Sequence, residues 1–316
     1  MPATHFGAAS APASLSTFPV LPFKDRVRHE WDAVAEDWGS DRWWTVVERS
    51  AQTCNERLVE LAGLEPGDRA LDVGTGVGEP AATAARRVGP EGRVLGVDLA
   101  PRMIEEGRKR IRKLGLANVD LELGDVESLA LEPGSFDAVL SRWTLMMMED
   151  LGAALADLLR LLAPGGTLAA GLWGHPSRVP MIQTALGAAL DLLQIPAPPP
   201  DAPSHLWTQG TDVLERLARN AGFTDVRTES VELVFEMPSR EDYAEFIYRM
   251  AGPVRVLVDQ QPEPTAKALL RAIAAASRPF ERADGSVRFG NETILLVGRC
   301  PSRPAGSARE APPVPA

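Results

Sequence analysis

The sequence predicts an α/β protein built on a doubly wound, mostly parallel seven-stranded sheet with a helical cap. Three observations carry that expectation. Five short apolar runs between residues 69 and 173 are separated by amphipathic or turn-forming segments, the pattern of parallel βαβ units with helices on both faces. Two later stretches, 225–237 and 292–299, alternate or run apolar as strands do and bring the count to seven. Helical stretches rich in tryptophan precede the first strand, and others separate the last strands, where a cap over the sheet's carboxyl edge would be built.

In chain order, residues 1–24 are rich in Ala, Ser and Pro and are expected to form a disordered tail. No basic segment precedes an apolar one there, so the chain reads as cytoplasmic, without a secretory leader. Residues 25–64 are expected to form an N-terminal helical cap. Val27, Trp31, Val34 and Trp38 recur at helical spacing, "DRWW" follows, and a second helix runs from about Val46 to Leu61 with Gly63 as its stop. Residues 65–175 form the expected α/β core, with strands at 69–74, 93–98, 118–123, 136–142 and 166–173. Helices are expected at 79–88, 101–114 and about 150–162, and an irregular segment near 126–132. "GPEG" (89–92), "LEPGS" (131–135) and "APGG" (163–166) are turn signals. Residues 176–300 supply further cap helices, near 180–193, 211–221, 239–250 and 264–278, and the last two strands, with "PAPPPDAPS" as a stiff linker. Residues 301–316 read as a second disordered tail.

Composition narrows the function. The 316 residues are 45% apolar and 24% charged, values of a globular chain, and no apolar run reaches the roughly 18–20 residues of a membrane span. The net charge is −10, and the densest basic stretch, 106–113, reads as the solvated face of a helix. Nucleic acid and anionic membrane surfaces are therefore disfavoured as partners, and a small molecule is favoured. Two cysteines, Cys54 and Cys300, suggest neither a disulfide framework nor a metal site, and no metal is expected. Whether the chain acts as a monomer or a homodimer is left open by the sequence.

The first strand runs into "LDVGTGVGEPA", where Asp72 precedes glycines at 74, 76 and 78. Bare backbone at a strand end lets main-chain N–H groups approach a ligand in the crevice of such a sheet. The spacing is not the G-x-G-x-x-G of dinucleotide dehydrogenases, and no G-x-x-x-x-G-K-[ST] phosphate loop exists. A carboxylate at Asp72 suits an ammonium group better than a pyrophosphate. Asp98 ends the second strand about twenty residues on, where an acid binds ribose hydroxyls, and Leu99 and Met103 can hold one face of a base. Asp125 ends the third strand and can accept from an exocyclic amine, while the Val126 N–H can donate to a ring nitrogen.

These blocks, followed in order by "FDAVLSRWTLMMMED" and "LLAPGGTLAAGLW", resemble the class I S-adenosylmethionine-dependent methyltransferases over about residues 65–175. Within that family the chain looks like the ubiquinone/menaquinone C-methyltransferase-like branch. The resemblance implies S-adenosyl-L-methionine as cofactor. Its amino-acid part would be held by Asp72 and the loop Gly74, Thr75, Gly76 and Gly78, its ribose by Asp98 and its adenine by Asp125 and Val126. Ser141 and Arg142 would flank the methionine portion and the sulfonium.

Methyl transfer from a sulfonium is an in-line displacement, so positioning supplies much of the acceleration, and a base is needed only where the nucleophile must lose a proton. Of His5, His29, His175 and His205, His175 follows the fifth strand and is the expected base. Trp38, Trp43, Trp44, Trp143, Met147, Trp173 and Trp207 lie in cap segments or at strand ends, which favours an apolar, aromatic or prenylated acceptor, methylated at carbon in preference to oxygen or nitrogen. A nicotinamide-dependent oxidoreductase on a similar sheet and a non-catalytic cofactor-binding module are the competing readings.

Overall fold

Short apolar runs alternating with amphipathic ones assemble into a single seven-stranded sheet in the computed structural model, which describes residues 22–196, 205–207 and 209–302. The strands are β1 (Arg69–Val73), β2 (Arg93–Asp98), β3 (Val119–Leu123), β4 (Phe136–Arg142), β5 (Leu162–Trp173), β6 (Thr224–Met237) and β7 (Val287–Arg299), in the order β3-β2-β1-β4-β5-β7-β6. β3 to β5 run parallel, and β7 runs antiparallel between β5 and β6. The order reverses between β1 and β4, so the carboxyl ends of these strands open the crevice in which such sheets bind ligands. Ala70, Leu71 and Val73 of β1 and Ala138, Val139 and Leu140 of β4 are fully buried, as strands covered on both faces must be.

Between the strands lie α3 (Ala81–Val88), α4 (Pro101–Lys113) and α5 (Leu151–Leu161), and in the second half α6 (Pro180–Leu193), α7 (Thr211–Asn220), α8 (Arg240–Met250), α9 (Gly252–Asp259) and α10 (Glu263–Ala276). Two helices precede the sheet, α1 (Phe23–Gly39) and α2 (Asp41–Ala62). α2 packs across β4, β5 and β6, while α1 packs on α4, α8 and α9. α1 is thereby the element that joins the early strands to the late helices.

Several boundaries differ from the sequence expectation. "DRWW" is the first turn of α2, not a separator, because Ser40 alone is extended between the two helices and its Oγ donates to the Asp37 carbonyl at 2.6 Å. Trp43, Trp44, Val47, Ala51, Cys54 and Leu58 then form one buried stripe that runs to Gly63 in the left-handed region at φ 67°. α1 begins at Phe23, inside the segment expected as a tail. Residues 1–21 of that tail, residues 197–204 of the linker and residues 303–316 of the last tail lie outside the described residues. β5 starts at Leu162, with "APGG" as a bulged strand entry whose register shifts against Phe136 and Ala138. α9 was not expected at all, since Gly252-Pro253 reads as a break. Pro253 sits in its first turn, where a missing N–H leaves no bond unmade.

Candidate active site

β1 delivers Asp72 fully buried beneath the glycine loop. Its Oδ2 accepts from the Ala81 N–H at 3.0 Å, at the start of α3, while Oδ1 has no hydrogen-bond partner. Burial pushes its carboxyl up to about 7, opposed by the neighbouring Thr75 hydroxyl, the Ala81 amide and the Arg142 guanidinium. Thr75 Oγ1, next to it in the loop, is also buried and faces this carboxyl. Gly74 lies at φ 70°, and a Cβ there would collide with the Thr144 side chain, so this position needs glycine for two separate reasons.

Asp98 ties the loop to β2. Its Oδ2 accepts from the Gly76 N–H at 2.8 Å and its Oδ1 from the Ala100 N–H at 2.9 Å. Burial raises its carboxyl above the ordinary range against those two amides. Asp125 caps the turn after β3, accepting from the Glu127 N–H at 3.0 Å, and its Oδ2 takes Lys24 Nζ at 2.7 Å. Lys24 also meets Glu127 at 2.9 Å. Its ammonium is lowered by burial but held above the ordinary range by the two carboxylates together.

At the end of β4, Ser141 and Arg142 point to opposite faces, as neighbours on a strand do. Ser141 is fully buried with Oγ unpartnered. Arg142 is also buried. It donates to Asn55 Oδ1 of α2 at 2.6 Å and lies over the Trp143 ring at 4.6 Å. Trp143 itself takes φ 59°, an uncommon backbone for a bulky residue. Its N–H donates to the Gly171 carbonyl at 2.6 Å, its Nε1 to Thr293 Oγ1 at 3.2 Å, and its ring stacks on Trp173 at 4.1 Å.

Two cavities meet at this point. The first is a cleft of about 930 Å³, part of it open to solvent. Its lining gathers Gly74, Thr75, Gly76, Asp98, Leu99, Met103, Asp125, Val126, Arg142, Trp143 and Met147 from the strand ends and Phe23, Lys24, Trp31 and Trp38 from α1. The second is a chamber of about 750 Å³, likewise partly open to solvent, lined by Trp38, Trp143, Trp173, Met146, Met181, Phe235, Phe246 and other apolar side chains. Trp31, Trp38 and Trp143 line both. Among the described residues that line the chamber, His205 is the one ionisable group.

A family model described as a methyltransferase domain matches residues 64–185. Nocamycin O-methyltransferase of Saccharothrix syringae is 31% identical over 262 residues, covering 79% of this chain and 91% of that protein. The chain belongs to the class I S-adenosylmethionine-dependent methyltransferases. The ubiquinone/menaquinone biosynthesis C-methyltransferase UbiE of Pseudomonas putida is 32% identical over 170 residues, 53% of this chain and 62% of that protein. Of several curated relatives, the chain spans only 35% to 62% of the length. The crystal structure of Haemonchus contortus phosphoethanolamine N-methyltransferase 2 with S-adenosyl-L-methionine shares the fold, at 20% identity and a TM-score of 0.56 over 90% of this chain and 62% of that one.

In this methyltransferase the glycine cleft suits the cofactor chemically. It is lined by the bare backbone of Gly74 and Gly76, where Gly74 leaves no room for a Cβ, and by the carboxylates Asp98 and Asp125 at two further strand ends, a set that matches a ligand with hydroxyl and amine donors. Among the described residues no group of three His, Cys, Asp or Glu stands together as a metal site, and no helix is long and apolar enough to cross a membrane.

Not every expected residue reaches the two cavities. Asp72 and Gly78 lie behind the loop and Ser141 on the far side of β4, so none of the three lines the cleft. His175 lines neither cavity. It is exposed and caps a turn, its Nδ1 facing the Ser177 hydroxyl at 2.8 Å, which removes the geometric case for it as the base. His29 is exposed on α1, and His5 lies outside the described residues. Trp43 and Trp44 turn inward on α2, against Phe246 and under the Arg110 guanidinium. Trp207 is held by its Nε1 on the Gly210 carbonyl, 2.7 Å away. Lys24 and Trp31 were missed. Only their helical spacing on α1, which the sequence shows, could have pointed to them.

Proposed function

We propose that this methyltransferase moves a methyl group onto an oxygen of a small, apolar, ring-sized acceptor seated in the chamber behind Trp31, Trp38 and Trp143. One observation carries the reading: an almost wholly apolar pocket, open to solvent on one side, shares its aromatic wall with the cofactor cleft. α1, α6, α8 and α9, with Val47 of α2, act as the cap that selects the acceptor, whereas α7, expected as a cap helix, packs on α5, β6 and β7, and the core holds the cofactor.

When bound, S-adenosyl-L-methionine supplies an electrophilic methyl group on a positively charged sulfur. The loop from Gly74 to Gly76, braced from beneath by Asp72, would hold the methionine end, Asp98 would take the ribose through its remaining lone pairs, and Asp125 with Val126 would take the base. Arg142 and Trp143 fix the border between the cavities, so the acceptor oxygen is held in line and water is kept away. The net charge of −10 supports a small molecule over nucleic acid.

The sequence alone favoured methylation at carbon. Oxygen is preferred here because the relative matched over 91% of its own length is named an O-methyltransferase, whereas the C-methyltransferase relative is matched over 62%. The test is a panel of apolar phenols, enols and quinols incubated with isotope-labelled cofactor and read by mass spectrometry and NMR. Methyl ethers are the expected products. A label bound to carbon, or a label carried only by polar amines or nucleic acid, refutes the proposal.

A further inference from the structure

Arg142 is a buried cation with little to hold it. It is 8% exposed, and its Nη1 donates to Asn55 Oδ1 at 2.6 Å. Among the described residues it makes no other hydrogen bond and no ion pair. Burial lowers its guanidinium from the ordinary range, opposed by Cys54, Glu79 and Asp72, none of which pairs with it directly. A buried charge without a counter-charge is costly, so this one calls for an anion from outside the chain. Arg142 lines the cleft and lies over the Trp143 ring at 4.6 Å, and that ring lines both cavities. A group reaching from the chamber toward the methyl passes Trp143 and meets Arg142.

The same border offers no free base among the described residues. His205 is the one ionisable group lining the chamber, and its Nε2 faces Glu30 Oε2 at 3.4 Å, closed off from the space beside it. Burial brings that imidazole down to about 4, too low to take a proton from a hydroxyl. The carboxylates of the cleft are already engaged. Asp98 accepts from two amides, Asp125 and Glu127 pair with Lys24, and Glu79 accepts from Arg110 and Thr83. An acceptor that had to lose a proton here would find nothing to take it.

We infer that the acceptor is a carboxylic acid on an apolar ring body, its carboxylate held by Arg142 at the border and methylated there to an ester. The inference rests on the reading of the chamber as the acceptor site. A carboxylic acid is ionised at neutral pH, whereas an ordinary phenol is ionised to only about one part in 1,000. Phenols and quinols are then the slower oxygen acceptors. The planar guanidinium matches the two oxygens of a carboxylate, and with Nη1 on Asn55 its Nε and Nη2 remain for them. One carboxylate oxygen gives an electron pair to the methyl carbon as the carbon–sulfur bond breaks with its electrons to sulfur. Anion and sulfonium both become neutral, giving a methyl ester and S-adenosylhomocysteine, and no proton moves. The ester has lost the charge that drew it to Arg142, which favours its release.

The experiment gives the full chain isotope-labelled S-adenosyl-L-methionine with 2-naphthoic acid and 2-naphthol, a matched pair, at about pH 7, and reads the products by mass spectrometry. Methyl naphthoate is expected to form about 10-fold or more faster than the naphthyl ether, because only a small fraction of the naphthol is ionised. Arg142→Gln is expected to cut that preference about 10-fold or more, and Arg142→Lys to restore part of it. Calorimetry with S-adenosylhomocysteine tests the rival partner. If Arg142→Gln loses affinity for it while the naphthoate preference stays intact, the guanidinium serves the cofactor's own carboxylate and the inference is overturned. Naphthol methylated as fast as naphthoate also overturns it and leaves the chamber reading intact. If neither probe is methylated, the chamber reading fails and the inference with it. Where Arg142→Gln does not fold, as read by thermal unfolding, the wild-type ratio decides.

Discussion

Replacing Glu30 by Gln separates the burial of this carboxyl from every other feature of the site, through the pH dependence of folding. In the folded protein Glu30 is 7% exposed and its carboxyl is raised from 4.5 to about 7, chiefly by burial. The folded state therefore holds a proton that the unfolded state has already lost between those two values. Stability is complete below about pH 4.5 and is lost as pH rises through about 7. At 1.36 kcal/mol per pH unit, the rise amounts to about 3 kcal/mol. Glutamine does not titrate, so the stability gap should move by about 3 kcal/mol in favour of Glu30→Gln between about pH 4.5 and about pH 8. His205, lowered by burial from 6.5 to about 4, adds the opposite slope, and because it lies 3.4 Å from Glu30 the comparison is made in the His205→Gln background as well. Urea unfolding of the two proteins at a series of pH values measures the gap. Curves that stay parallel across that range would mean that Glu30 is solvated, and the reasoning about the wall of the chamber would fail with it.

Asp72→Asn keeps the shape and removes the charge under the glycine loop. It should weaken S-adenosylhomocysteine by about 0.5–1.5 kcal/mol, the worth of the hydrogen bond to Ala81 that braces the loop from beneath, and unchanged affinity by calorimetry would remove Asp72 from the site. Gly74→Ala should destabilise the fold by more than Gly76→Ala. Both positions have positive φ, at a cost of about 1–3 kcal/mol each, but only the Gly74 Cβ also meets Thr144, and thermal unfolding of the two variants tests the order. His175→Ala should leave methylation rate and stability within about 0.5 kcal/mol of wild type, because its ring is exposed and meets only Ser177. A large loss of rate would restore it as the base.

Much of the cofactor side of the site was legible in the residues. Alternating strands and helices fix where strand ends fall, and acids at the ends of β1, β2 and β3 stand out against their apolar runs. Asp98 and Asp125 do line the cleft, while Asp72 sits one layer deeper, because the loop that follows it folds back over its side chain. Ser141 and Arg142 could not both face the ligand, since the two-residue period of a strand sends neighbours to opposite faces. The start of α1 was hidden because Pro22 offers no side-chain cap to mark it. The Glu30–His205 pair was hidden for a different reason. The two residues are brought together only by the packing of α1 against the late segments, a contact that no local pattern encodes. His175 looked better on sequence because it follows β5 directly, but a capping turn aims its ring outward.

Lys24 and Trp38 belong to one rigid rod that leans on both reactants. On the proposed reading, adenine at Asp125 would share that carboxylate with the Lys24 ammonium group, and a shift of the rod to make room would reshape the neighbouring chamber as well. Donor and acceptor would then feel each other through a common scaffold. By thermodynamic reciprocity, the factor by which one alters the grip on the other is the same in both directions.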